Sequence, residues 1–204
     1  MDEAADFLAG MDVLSFLKFL IVVLAGTALG LLVTSEVLRR GPVFNTEKAG
    51  PWTGVPKNGS LDIDPYAQAR LARNAELPLG TAEGLSFIAN TDSSGAVLQP
   101  HCDYRINGSV PPTRYWTLTL VTSRGYLIDN PARRFGFTSS EIVRTADGAF
   151  DITVARQARP GNWLPLGDAQ PFVLMFRLYD TLLDFGTAKL DASAMPRILK
   201  GRCE

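Results

Sequence analysis

This sequence is poor in the residues that carry most metal and acid–base chemistry. It holds one histidine, His101, and two cysteines, Cys102 and Cys203, in 204 residues. A single imidazole excludes any site built from several histidines of one chain, and it leaves a Ser–His–acid triad only one base. His101 follows Pro100 at a strand edge, where a solvent-facing role is the simpler reading. Neither cysteine lies in a CxxC, so thiolate metal binding lacks ligands at close spacing. "HCD" over 101–103 does not repair this, because neighbours along a strand point to opposite faces. Charge of one sign is lacking too: Lys+Arg number 20 against Asp+Glu 21, a net −1. Without a basic run, or aromatics interleaved with arginines, nothing favours nucleic acid. The motifs G-x-S-x-G, GxGxxG, HExxH and the P-loop are missing. These absences predict no catalytic residue, no metal and no cofactor.

What is present begins with "FLIVVLAGTALGLLVTS", Phe19 to Ser35, which carries no charge. Phe16 and Leu17 extend the apolar run behind Lys18, whose side chain can snorkel, and Glu36, Arg39 and Arg40 mark the exit. The preceding segment is acidic and no A-x-A site follows, so a retained single-span anchor fits better than a cleaved signal peptide. Gly26 and Gly30 form a GxxxG, a candidate helix–helix contact that also admits self-association. Two signals conflict on orientation. The Arg39–Arg40 pair places the following domain in the cytoplasm by the positive-inside rule, whereas a Cys102–Cys203 disulfide would need an oxidising compartment.

The pattern divides the chain into an N-terminal segment 1–15, a transmembrane anchor 16–38, a Pro/Gly-rich linker arm 39–60 and a β-sandwich domain 61–204. Pro42, Pro51 and Pro56 keep the arm from becoming helix, and Trp52 can anchor it onto the domain. Asp64 and Pro65 read as N-cap and first residue of a short helix, with Ala67, Leu71 and Ala75 as its apolar stripe. From Gly84 onward the signals are those of strands. "PPTRYWTLTLVTS" sets Trp116, Leu118 and Leu120 on one face, and Tyr115, Thr117, Thr119 and Val121 on the other. "EIVRTADGAFDITVAR" reads as a hairpin turning at Asp147-Gly148, and "PFVLMFRLYD" as the last long strand. The expectation is an antiparallel, jelly-roll-like sandwich behind one transmembrane helix and a short helix.

Two groups could carry function. Glu76, Glu83, Asp92, Asp103 and Asp180 would suit glycoside chemistry if they converged; the alternative is that each caps a turn or pairs with an arginine such as Arg114 or Arg177. In "RPGNWLPLG", Gly161 supplies a tight turn, Asn162 bonds nearby backbone, and the Trp163 indole finds a partner at the end of the sandwich. The functional reading of the same corner makes Trp163, Trp116 and Tyr104 a groove for sugar or lipid, and Asn162 and Glu83 join them as a candidate ligand or partner surface.

The motifs "LPLGTAEGLSFIANTD", "YWTLTL", "GYLIDNP", "DGAFDITV", "GNWLPLG" and "FVLMFRLYD" occur in the order seen in the domain-of-unknown-function 1214 family. The resemblance covers roughly Gly50 to Cys203, and the short, anchored form is similar to alphaproteobacterial versions. It implies an antiparallel β fold and an exported or envelope location, which favours a periplasmic domain on the bacterial inner membrane. Longer relatives are fused to a second domain, of the 1254 family, so a 1254-like protein is an expected partner. No catalytic residues come with the resemblance. The expected function is a membrane-anchored binding or assembly module; the alternative is a hydrolase or carbohydrate-binding domain acting on envelope glycans.

Overall fold

The computed structural model describes residues 12–40, 46–55, 57–74, 76–80, 82–167, 171–181, 183 and 191–203. Expectations for residues 1–11 and for Pro42, Pro56 and Ala75 lie outside these. The chain divides into two units, Met1–Val43 and Phe44–Glu204.

Among the described residues, the first unit forms the helix α1 (Val13–Arg40, 28 residues), about 42 Å long at 1.5 Å per residue. It is apolar and long enough to cross a membrane. The helix outruns the expected span of 16–38 at both ends, because Val13–Ser15 and the Val37–Arg40 stretch contain no helix breaker. Its large apolar side chains are exposed, Leu29 at 64%.

The second unit is mainly β, with ten strands in two sheets among the described residues. The six-stranded sheet runs β1 (Glu47–Ala49), β2 (Trp52–Gly54), β3 (Gly84–Ala89), β9 (Phe172–Thr181), β5 (Thr113–Thr122), β6 (Gly136–Thr138). The four-stranded sheet runs β10 (Arg197–Cys203), β4 (Cys102–Gly108), β7 (Phe150–Ala155), β8 (Asn162–Pro165). Period-two burial turns Trp116, Leu118 and Leu120 of β5 inward, with Phe172, Leu174, Phe176 and Leu178 of β9. They meet Tyr104, Ile106, Phe150 and Ile152 from the other sheet in one core. Aromatic contacts run through that core: Trp52 on Phe176 at 5.4 Å, Phe176 on Trp116 at 5.4 Å, and Trp116 on Phe150 at 4.9 Å. The short helix α2 (Pro65–Asn74) starts as its sequence requires, with the Asp64 carboxylate accepting from the Tyr66 and Ala67 N–H groups.

Four details correct the sequence reading. The arm expected at 39–60 contains a paired hairpin, β1–β2, because Trp52 is fully buried and its indole donates to the Pro196 carbonyl at 2.7 Å. β9 is not the final long strand; the tail 197–203 pairs with β4 as β10. β7 and β8 are parallel, so the sandwich is not wholly antiparallel. The hairpin expected before β7 shrinks to one bridge, Arg144 with Phe150, around the turn at Gly148. Its outer arm has no ladder because the Asn162 side chain occupies the Val143 backbone instead, accepting from Val143 N–H at 2.9 Å and donating to Val143 C=O at 2.8 Å.

Candidate functional site

Asn162 opens β8 and is buried. Its amide makes a third bond, to the Asp151 carbonyl at 2.9 Å, so one side chain closes the gap between β7, β8 and the 143 loop. Gly161 precedes it at φ 81, a conformation that favours glycine. Trp163 lies half-buried and donates its indole N–H to Ala155 C=O at 3.0 Å, while its own carbonyl accepts from Arg134 at 3.2 Å. Every polar group named here has a structural partner.

The proposed aromatic groove is not assembled. Trp116 is 1% exposed and Tyr104 0%, both aimed into the space between the sheets, so neither can line a surface groove with Trp163. The Tyr104 hydroxyl accepts from Gln99 N–H at 2.7 Å. The Trp116 indole N–H is buried without a hydrogen-bond partner among the described residues, and the Arg144 guanidinium lies 5.8 Å from its ring.

The carboxylates are engaged separately. Glu83 is exposed, and its backbone rather than its side chain is used, its carbonyl accepting from Asp180 N–H. Asp103 accepts from Arg159 at 2.7 Å, Asp180 faces Arg114 at 3.6 Å on the exposed surface, and Asp151 pairs with Arg105. Glu76 follows the end of α2.

Asp92 is the exception, at 3% exposed. Its Oδ1 accepts from Ser94 N–H at 2.8 Å, Ser94 O–H at 2.5 Å and Ala96 N–H at 3.1 Å. Burial pushes this carboxyl up, but the three donors, helped by Lys200, outweigh it and hold the group below its ordinary value. The turn it stabilises docks the tail: Ser93 N–H donates to Ile198 C=O, and its hydroxyl accepts from Ile198 N–H, each at 2.8 Å.

That tail ends at the Cys102–Cys203 disulfide, which joins facing residues of β4 and β10 across 101 positions of sequence. The His101 imidazole belongs to the same place. Its ring nitrogen and the two sulfurs all lie within 4.8 Å of one another. Alternation along a strand does not separate His101 from Cys102, because His101 sits in the turn before β4 begins. Cys203 is the ligand-type residue that local spacing could not bring to "HCD"; only the β10–β4 register does so. Gly26 and Gly30 remain in α1, with no heavy atom within 4 Å of where a Cβ would stand.

Residues 83–182 match the family model described as a protein of unknown function, DUF1214. This chain carries a DUF1214 domain. The matched segment runs from β3 through β9, and β1, β2 and β10 complete its sheets from outside it. Among solved structures, the VPA0106 protein from Vibrio parahaemolyticus is similar over 91% of this chain at 19% identity, with a TM-score of 0.56. That is a shared fold. The match takes up 46% of the Vibrio chain, so the DUF1214 chain spans under half the length of that relative. A putative uncharacterized protein from Burkholderia cenocepacia matches 87% of this chain and 42% of its own at 18% identity, with a TM-score of 0.43. No curated protein matches.

Proposed function

We propose that this protein is a single-pass, envelope-side binding module of the bacterial inner membrane, holding its DUF1214 domain in the periplasm as part of a membrane-associated assembly. The observation that carries the reading is the pairing of a long apolar helix with a disulfide in the adjoining domain. A stable disulfide belongs to an oxidising compartment, and that weighs more than two arginines at a helix end, since a long domain translocates largely regardless of such charges. The glycan-binding reading loses its support, because two of its three aromatic residues are core.

The partner we favour resembles the part of the longer relatives that lies beyond the match, a 1254-family protein, met in the membrane through the Gly26–Gly30 face of α1. Self-association through the same face is the competing arrangement. The test is cross-linking mass spectrometry on native membranes without reductant. A Cys102–Cys203 linkage together with reproducible cross-links to one membrane protein supports the proposal. Free thiols in freshly trapped membranes would overturn the location. Cross-links confined to a second copy of this chain would replace the hetero-assembly with a homo-oligomer.

A further inference from the structure

We propose that the Cys102–Cys203 disulfide conceals a thiophilic metal site, formed with His101 when the bond is reduced. The ligand set is two thiolates and one imidazole, and their donor atoms already lie within 4.8 Å of one another. Tetrahedral zinc with Zn–S near 2.3 Å and Zn–N near 2.0 Å needs donor atoms separated by about 3.5–3.8 Å. Two small adjustments therefore suffice. The sulfurs separate once the bond is gone, and His101, exposed in its turn, swings inward.

The surroundings favour the chemistry. Cys102 is fully buried and begins β4, so one thiolate is held by the sheet. Cys203 ends β10 and is exposed, which gives it freedom to open. Gln99 Oε1 lies 3.5 Å from Cys102 Sγ and accepts from Lys200 Nζ at 3.0 Å. A nearby ammonium favours the thiolate over the thiol, and the amide oxygen is placed to accept from a water at the fourth position. Asp103, the one carboxylate in "HCD", is engaged by Arg159 and is not a competing ligand. Soft sulfur with imidazole selects zinc or a comparable thiophilic ion over magnesium or calcium.

The redox step is balanced by an external dithiol. Two electrons pass from it to the disulfide, its own sulfurs become a disulfide, and two protons reach the cysteine sulfurs. Those protons are released when the thiolates take the metal. Metal and disulfide are thus mutually exclusive at one location.

The experiment uses the full chain in detergent, oxidised and reduced by a dithiol that is then removed under anaerobic conditions. Zn(II) alone is titrated, with Co(II) as the spectroscopic probe. One equivalent should bind the reduced chain, with thiolate-to-cobalt charge transfer and tetrahedral ligand-field bands, and none should bind the oxidised chain at the same concentration. His101→Ala leaves the disulfide and the fold intact. Because even outer-shell partners are worth 10–100-fold, losing this ligand should weaken binding by at least about 100-fold. Unchanged affinity in that variant, or no binding by a reduced chain whose circular dichroism matches the oxidised form, would overturn the site. If reduction unfolds the domain, Zn(II) is added before the dithiol: retained structure supports the site, and unfolding regardless overturns it.

Discussion

The two edges of the four-stranded sheet are closed in different ways. At β8, three of four residues are buried and the edge is stitched by neutral side chains, the Asn162 amide and the Trp163 indole, both bonded to backbone. At β10, only Ile198 of seven residues is buried. Burying one isoleucine yields about 2–3 kcal/mol, whereas ordering each backbone residue costs about 1–2 kcal/mol. Apolar burial therefore cannot hold β10. The ladder to β4, the disulfide, the Ser93–Ile198 bonds and the Trp52–Pro196 bond hold it together. One edge is fixed by packing and is indifferent to redox state; the other depends on a bond that a reductant can break.

The largest effect expected is on β10. Opening a disulfide that spans 101 positions releases a loop whose closure is worth about 4–5 kcal/mol by chain entropy, an upper figure. Denaturant unfolding with and without dithiol, in chelator, should show most of that loss. A loss below about 1 kcal/mol would mean that β10 is held as firmly as β8 and would erase the contrast.

The next effect falls on β8. Asn162→Ala leaves Val143 N–H, Val143 C=O and Asp151 C=O without their partner, at about 1–3 kcal/mol for each group that water cannot reach. A net loss of about 2–4 kcal/mol is expected, equal in oxidised and reduced protein because the two edges share no contact in this network. Unequal losses would show that the edges are coupled.

These edges also mark where the sequence was readable. Alternation in β5 and β9 predicts their inward faces correctly, since period two is a local property that burial on one side enforces. The N-cap at Asp64 is legible for the same reason. The β7–β8 parallel pairing is not, because nothing local to "FDITVA" or "NWLP" distinguishes a parallel partner from an antiparallel one. Asn162 was expected to bond backbone, but not to replace half of a hairpin by bonding Val143, nineteen positions away. At the candidate site, the cysteine pair is legible as two residues that an oxidising compartment would join. The donor cluster with His101 is not, since it exists only through the β4–β10 register. The aromatic groove fails because residue type alone cannot tell a rim tryptophan from a core one: Trp116 follows the inward period of β5, and Trp163 does not point into the core.

A smaller effect tests the turn that docks β10. In Asp92→Asn the acceptor oxygen remains while its charge is lost, which should cost about 1 kcal/mol at neutral pH, since bonds to charged groups are stronger. The folded carboxyl titrates below its unfolded value of 3.8. Its contribution is therefore fully present above that value and is lost as pH falls through the lower, folded one. Wild type and variant should converge in acid, as thermal unfolding across pH would show. A gap that persists unchanged through acid, with no loss as pH falls, would mean that shape rather than charge holds the turn, about as the neutral bonds do at β8.

The smallest effect distinguishes the structural corner from a ligand site. Trp163→Phe keeps an aromatic face but removes the indole N–H that reaches Ala155 C=O. The Ala155 carbonyl also accepts from Leu166 N–H at 3.1 Å, so it keeps one partner, and only the net value of the lost bond, about 0.5–1 kcal/mol, is expected to go. A rim aromatic that stacks on a ligand would show the opposite pattern, with stability unchanged because phenylalanine fills most of the volume and binding altered because the ring is smaller. Unfolding curves for the pair decide it: a stability loss with an unchanged cross-link pattern in membranes places Trp163 among the residues that close β8, and unaltered stability with a changed pattern moves the corner to the partner surface.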